Sequence, residues 1–241
     1  MFNSSYKTST LEYQHNNKVF EAFVAKPDNV EFAPGVIICH AWAGRDKFVE
    51  EVACKLASLG YVGVAIDVYG KGIIGTNKNE NMLLMQPLLD DRLELQGRLH
   101  AGLLAAERLE FITKNKMAAI GYCFGGMCAL DLARMGTNLN GAISVHGFFN
   151  PPNNLKNYII TTKILALHGY LDPMVSADQI KQFMLELTNA KADWQFINYG
   201  NAMHAFTNPA VNDPDFGTVY NQLADKRSWH HISQFLSECL T

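Results

Sequence analysis

Apolar and polar positions along this 241-residue chain fall into two alternating patterns. Short, nearly continuous apolar runs of strand character occur at 35–40, 61–66, 117–120, 141–145, 164–167 and 194–199. Between them, apolar residues recur at helical spacing. Phe48, Val52, Leu56 and Leu59 form one such set, ending at Gly60. Others cover 83–111, 123–135, 176–187 and 219–240. Pro87 is expected to start or break a helix, and Ser176 to cap one. Near the beginning, 11–13 and 19–25 read as a hairpin across 15–18. Residues 70–79, punctuated by Gly and Asn, read as a loop. Strands alternating with helices predict an α/β fold, a mainly parallel central sheet with helices on both faces. No repeat or long linker interrupts it, so a single domain over 1–241 is expected. Ligands of such sheets bind beyond the carboxyl ends of the strands, and chemistry is to be sought there.

The strand at 117–120 runs into Gly121-Tyr122-Cys123-Phe124-Gly125-Gly126, and a helical segment follows. This is the pattern of a nucleophile elbow with cysteine in the reactive place. Glycines leave room for a sharp turn, which lifts the central side chain clear of the sheet at a helix N-terminus. The helix dipole favours an anion there, so Cys123 is a candidate nucleophile. Asp172 lies in the segment after the 164–167 strand, and His204 in the one after 194–199. Nucleophile, acid, histidine is the chain order of α/β-hydrolase triads. His204 is expected to carry the proton and Asp172 to orient the imidazole. Oxyanion donors are expected at the backbone N–H of Phe124 and in the loop after the first parallel strand, at Ala41 or Trp42.

Other residues are weighed the same way. His168 reads as packing or hydrogen bonding, His146 as a pocket residue, and His230 and His231 as surface or packing residues of the last helix. No set has metal-ligand spacing, and 70–76 lacks the Gly-Lys-Ser/Thr ending of a phosphate loop. No metal or cofactor is expected.

Composition adds exclusions. The chain is 48% hydrophobic and 18% charged, with a net charge of −3, so no basic field draws it to nucleic acid or anionic membrane. No apolar run approaches the roughly 20 residues of a membrane span, and residues 1–7 lack an apolar signal core. A cytoplasmic protein is expected, which makes the sequon at Asn3 irrelevant. The five cysteines fit that compartment, being odd in number and without a Cys-x-x-Cys pair. Cys39, Cys54, Cys128 and Cys239 read as small core residues. A monomer is the default.

With these pieces in place, the chain resembles the dienelactone hydrolase family over nearly its whole length. The matching motifs are Val36-Ile37-Ile38-Cys39-His40, Asp67-Val68-Tyr69-Gly70, the Cys123 elbow, His168-Gly169-Tyr170-Leu171-Asp172-Pro173 and His204-Ala205-Phe206. The resemblance implies a Cys-His-Asp triad at Cys123, His204 and Asp172, no metal, no organic cofactor, and Trp42 and Phe124 as oxyanion donors. The family's glutamate after the first parallel strand falls at Ala41 here, and an arginine beyond its histidine falls at Asn208; Arg92 is an unaligned stand-in for another. Dienelactone itself is therefore not carried over as substrate. Ala41, Tyr122, Phe148, Tyr170 and Phe206 are the expected substrate pocket, suited to an apolar or aromatic acyl group.

The reading is a hydrolase of small carboxylic esters, lactones or thioesters working through a thioacyl-enzyme. Two alternatives stay open: a non-catalytic ligand-binding protein on the same fold, favoured by Ala41, and a cysteine acyltransferase or peptidase.

Overall fold

The computed structural model describes residues 5–155 and 158–241. The sequon at Asn3 falls outside them. The chain forms two compact units, residues 1–119 and 120–241.

The first unit opens with the antiparallel hairpin β1 (Tyr6–His15) and β2 (Lys18–Pro27). Its two-residue turn, Asn16-Asn17, takes φ of 47° and 61°. Both central residues of such a turn need the left-handed region, which asparagine tolerates. β3 (Ala33–Cys39) and β4 (Val62–Ile66) pair in parallel, and the strand order is β1-β2-β4-β3. Nearly every residue of β3 and β4 is buried, as the continuous apolar runs require. α1 (Lys47–Ser58) connects them, starting at Asp46, whose carboxylate accepts the Val49 N–H at 3.3 Å.

α2 (Lys78–Asp90) and α3 (Arg92–Glu107) follow. Here the structure departs from the sequence reading. Pro87 neither starts nor breaks a helix but lies within α2. Pro87 and Leu83, the residue four before it, are both exposed, so the missing hydrogen bond falls on the outer side of the helix. The break comes at Asp91, which caps α3 by accepting the Glu94 N–H. α2 also begins inside the expected loop, where the Asn77 side chain caps it. The helical pattern stops at Glu107 rather than reaching 111, and β5 (Ile112–Tyr122) starts earlier than expected. β5 carries the chain into the second unit.

In the second unit, α4 (Phe124–Arg134) follows β5 directly. β6 (Gly141–Val145), β7 (Lys163–Gly169) and β8 (Trp194–Tyr199) pair in parallel. α5 (Ala177–Asn189) begins in a capping box: Ser176 Oγ accepts the Gln179 N–H and Gln179 Oε1 accepts the Ser176 N–H. α6 (Gln222–Leu240) closes the chain, starting three residues later than expected because Val219 belongs to a short ribbon, β9 (Asn212–Asp213) and β10 (Thr218–Val219).

The core of this unit gathers Leu130, Phe149, Ile160, Ile164, Phe183 and Leu187, with the Phe149 and Phe183 rings stacked at 4.4 Å. Every residue of α4 is buried, including Arg134. Its guanidinium makes a fork to Glu186 at 2.7 and 2.9 Å, and it also donates to Asp131 and to the Phe149 carbonyl. Buried charge is tolerated in this helix because it is paired on every side.

Candidate active site

The elbow is built from backbone constraint. Cys123 stands between β5 and α4 with φ 56° and ψ −118°. That region is costly for any residue with a Cβ and is held only where surroundings enforce it. Three hydrogen bonds do so. The Cys123 N–H is shared between the Val145 carbonyl at 3.1 Å and His146 Nδ1 at 3.2 Å, and the Cys123 carbonyl accepts the Gly126 N–H at 2.9 Å. A Cβ on Gly121 would lie 1.8 Å from the Gly125 carbonyl oxygen, so the tight turn demands glycine there. Cys123 makes no side-chain cap of α4. Its thiol is left available for chemistry, and the residue is partly exposed.

The acid and histidine loops are tied together by backbone. The Tyr170 N–H donates to the Tyr199 carbonyl, and the Leu171 N–H to the Ala202 carbonyl. These bonds bring Asp172, after β7, against His204, after β8. His204 Nδ1 donates to Asp172 Oδ2 at 2.7 Å, and both side chains are almost wholly buried. Asp172 Oδ1 accepts the Met174 N–H. The His204 backbone is clamped as well: its N–H donates to the Gly217 carbonyl and its own carbonyl accepts the Val219 N–H.

His204 Nε2 is buried and closes no hydrogen bond. Cys123 nonetheless acts on the same ring. Burial opposes charging of His204, but the Cys123 charge, the Asp172 hydrogen bond and the contact with Cys123 outweigh it and raise the ring from 6.5 to about 10. The thiol is thus an electrostatic neighbour of Nε2 short of a formed hydrogen bond, a looseness common before substrate arrives. Phe148 stacks on one side of the His204 ring at 5.7 Å. His146 meets it edge-on at 5.2 Å.

The other expected residues are placed as follows. Tyr122 and Phe206 are buried and pack on the His146 ring at 5.9 and 5.1 Å, so they act on the site through that ring. Tyr170 is 66% exposed. Asn208 serves its own turn, its side chain accepting the Ala210 N–H. His168 packs between Phe149 and Phe196. Cys39, Cys128 and Cys239 are buried, and Cys54 is half-buried.

Ala41 and Trp42 belong to the first unit, in the loop after β3. That loop is pinned by His40 Nδ1, bonded to the Ala41 carbonyl at 2.6 Å, and by the Tyr69 hydroxyl, which donates to the Trp42 carbonyl at 3.0 Å. Sequence reasoning missed the hydrogen-bonding role of His146 and the whole of Thr207 and Gly217. None carries a motif; all three work through contacts distant in the chain. Among the described residues no group of three or more His, Cys, Asp or Glu side chains is placed to hold a metal ion, and no helix is long and apolar enough to cross a membrane.

A mainly parallel sheet flanked by helices, with a cysteine on a strained strand-to-helix turn and an acid and a histidine on later strand ends, defines an α/β-hydrolase. A model of the dienelactone hydrolase family matches residues 20–240, and the chain belongs to that family of hydrolases. It is 34% identical to an uncharacterized protein of Caenorhabditis elegans over 148 residues, covering 60% of this chain and 94% of that one. The crystal structure of a dienelactone hydrolase-like promiscuous phosphotriesterase from metagenomic libraries is 29% identical, with a TM-score of 0.94 over 98% of this chain and 100% of that one. The dienelactone hydrolase of Anabaena variabilis shares the fold at 16% identity, with a TM-score of 0.71 over 98% and 99% of the two chains.

Proposed function

We propose that the protein hydrolyses small carboxylic esters, lactones or thioesters through a thioacyl-enzyme on Cys123. The observation that carries this is the His204 ring, bonded to Asp172 at 2.7 Å on one nitrogen and held near pKa 10 by the Cys123 charge acting with Asp172. A buried histidine oriented by an acid beside a cysteine can take the thiol proton and return it to the leaving group.

The steps follow. The Cys123 thiolate attacks the carbonyl carbon, and the carbonyl electrons become an oxyanion. The Phe124 backbone N–H, at the positive end of α4, is the donor we assign to it. Collapse expels the alkoxide or thiolate, which takes the His204 proton and leaves a thioester on Sγ. Water then attacks that thioester and gives a proton to His204. The acid departs, and the ion pair is restored. Asp172 keeps Nε2 toward the reacting atoms throughout by its bond to Nδ1.

Phe148 against His204, with exposed Tyr170 and Leu171 in the acid loop, favours an apolar or aromatic acyl group. The phosphotriesterase among the similar structures makes phosphotriesters the second substrate class to assay. We take the location as cytoplasmic, on the odd cysteine count without a Cys-x-x-Cys pair. We take the chain as one monomeric hydrolase domain, the extent of the family match, with no nucleic-acid or membrane partner.

A panel of p-nitrophenyl esters, a lactone and a thioester, hydrolysed by wild type and Cys123→Ala, tests the proposal. Turnover lost in the variant supports it. Equal turnover in both proteins refutes it, and ligand binding without turnover in wild type favours a binding protein.

A further inference from the structure

A second histidine beside the triad has a defined hydrogen-bonding pattern that the mechanism above leaves unused. His146, directly after β6, is buried with a left-handed φ of 39°. Its Nδ1 lies 3.2 Å from the Cys123 backbone nitrogen. A peptide N–H only donates, so Nδ1 accepts. The ring proton then sits on Nε2, which lies 2.9 Å from Thr207 Oγ1. Thr207 is itself buried, three residues beyond His204.

We propose that His146 and Thr207 are positioning residues that couple the nucleophile turn to the histidine loop, with Thr207 fixing the tautomer of His146 that the Cys123 turn requires. The inference rests on Cys123 being the nucleophile. Only the Nε2–H form offers a lone pair to the Cys123 N–H. The other tautomer would set two N–H groups against each other at a residue already held at φ 56° and ψ −118°. Thr207 Oγ1 stabilises the required form by accepting its proton, as outer hydrogen bonds fix the tautomers of functional histidines.

The groups facing the ring support a neutral state. Tyr122, Phe206 and His204 surround it, and burial, then the charges of His204 and His168, hold it well below the ordinary histidine range. His146 is thus an uncharged acceptor next to a charged histidine, and the two rings cannot exchange roles.

The test replaces only the outer member of the chain. Thr207→Val keeps the volume and removes the acceptor, leaving a buried N–H unpaired. With p-nitrophenyl acetate, its kcat is expected to fall roughly tenfold with KM unchanged, and Thr207→Ser to recover to within about twofold of wild type. ¹⁵N NMR of the imidazoles is expected to show His146 as a single Nε2–H tautomer in wild type and in the serine variant, and as a mixture in the valine variant. A wild-type kcat and an unchanged His146 tautomer in Thr207→Val overturn the inference. Should that variant not fold, Thr207→Cys, with a weak acceptor at the same reach, must lie below the serine variant in kcat; equality overturns the inference equally. Cys123→Ala, run alongside, separates the two levels. If it retains wild-type activity, the nucleophile assignment fails whatever Thr207 does. If it is inactive while Thr207→Val is unaffected, only the coupling fails.

Discussion

His204 Nδ1 and Asp172 Oδ2 meet at 2.7 Å with both side chains shut away from solvent. The acid is held from its other oxygen by the Met174 N–H, so it cannot turn to follow another partner. The pair sets which nitrogen of the ring faces the thiol.

Asp172→Asn tests that statement. The amide offers an N–H where an acceptor is needed, and the imidazole settles in the wrong tautomer. Esterase kcat should fall about 10³–10⁴-fold, with the far-ultraviolet dichroism unchanged. Activity within a few-fold of wild type would show that the carboxylate does not govern the ring.

The charge on His204 depends most on Cys123 among the groups that raise it. In Cys123→Ala the ring should therefore titrate at a lower pH than in wild type, where it titrates near 10. NMR titration of the imidazole reads this directly. The same shift enters stability. Because the folded value lies above 6.5, the contribution is fully present below that pH and fades as pH rises through about 10. Urea unfolding between these limits should show a decline in wild type that is flatter in the alanine variant. Superimposable titrations of the two proteins would remove the ion pair from the account.

Gly217 links the two loops through sterics. Its φ is 83°, and a Cβ there would lie 2.2 Å from Pro173 Cγ, next to Asp172. Its carbonyl also accepts the His204 N–H. Gly217→Ala should cost about 1–3 kcal/mol in stability and lower kcat, since acid and base loops must part to admit the methyl group. A variant with unchanged melting temperature and kcat would show that the loops accommodate it without moving the triad.

Arg134 anchors the helix that begins at Cys123. Arg134→Leu takes the guanidinium away from the Asp131 and Glu186 carboxylates, and Asp131 is completely buried. The expected loss is about 3–5 kcal/mol by urea unfolding. A loss below about 1 kcal/mol would mean that other partners serve these carboxylates equally well.

The sequence made the candidate nucleophile visible because the elbow is a local constraint: Gly121 is required by a carbonyl only four residues away. Ser176 was legible as a cap for the same reason, since its partner Gln179 is three residues on. The parallel strands β3, β4, β6 and β7 were legible because burial on both faces leaves an unbroken apolar run. The asparagine turn of the hairpin announced itself, whereas α2 did not, because its polar N-terminus resembles a loop and Pro87 reads as a breaker until its exposure is known. The support around the triad was the least legible. Thr207 reaches His146 across 61 residues, and Gly217 meets Pro173 across 44, spacings with no local signature.

The most direct test of the whole account is intact-mass spectrometry of the protein quenched during turnover of a p-nitrophenyl ester. The account predicts a mass increase equal to one acyl group, mapped by peptide analysis to Cys123 and absent from Cys123→Ala. Full turnover with no adduct on wild type, together with wild-type activity in Cys123→Ala, would contradict it.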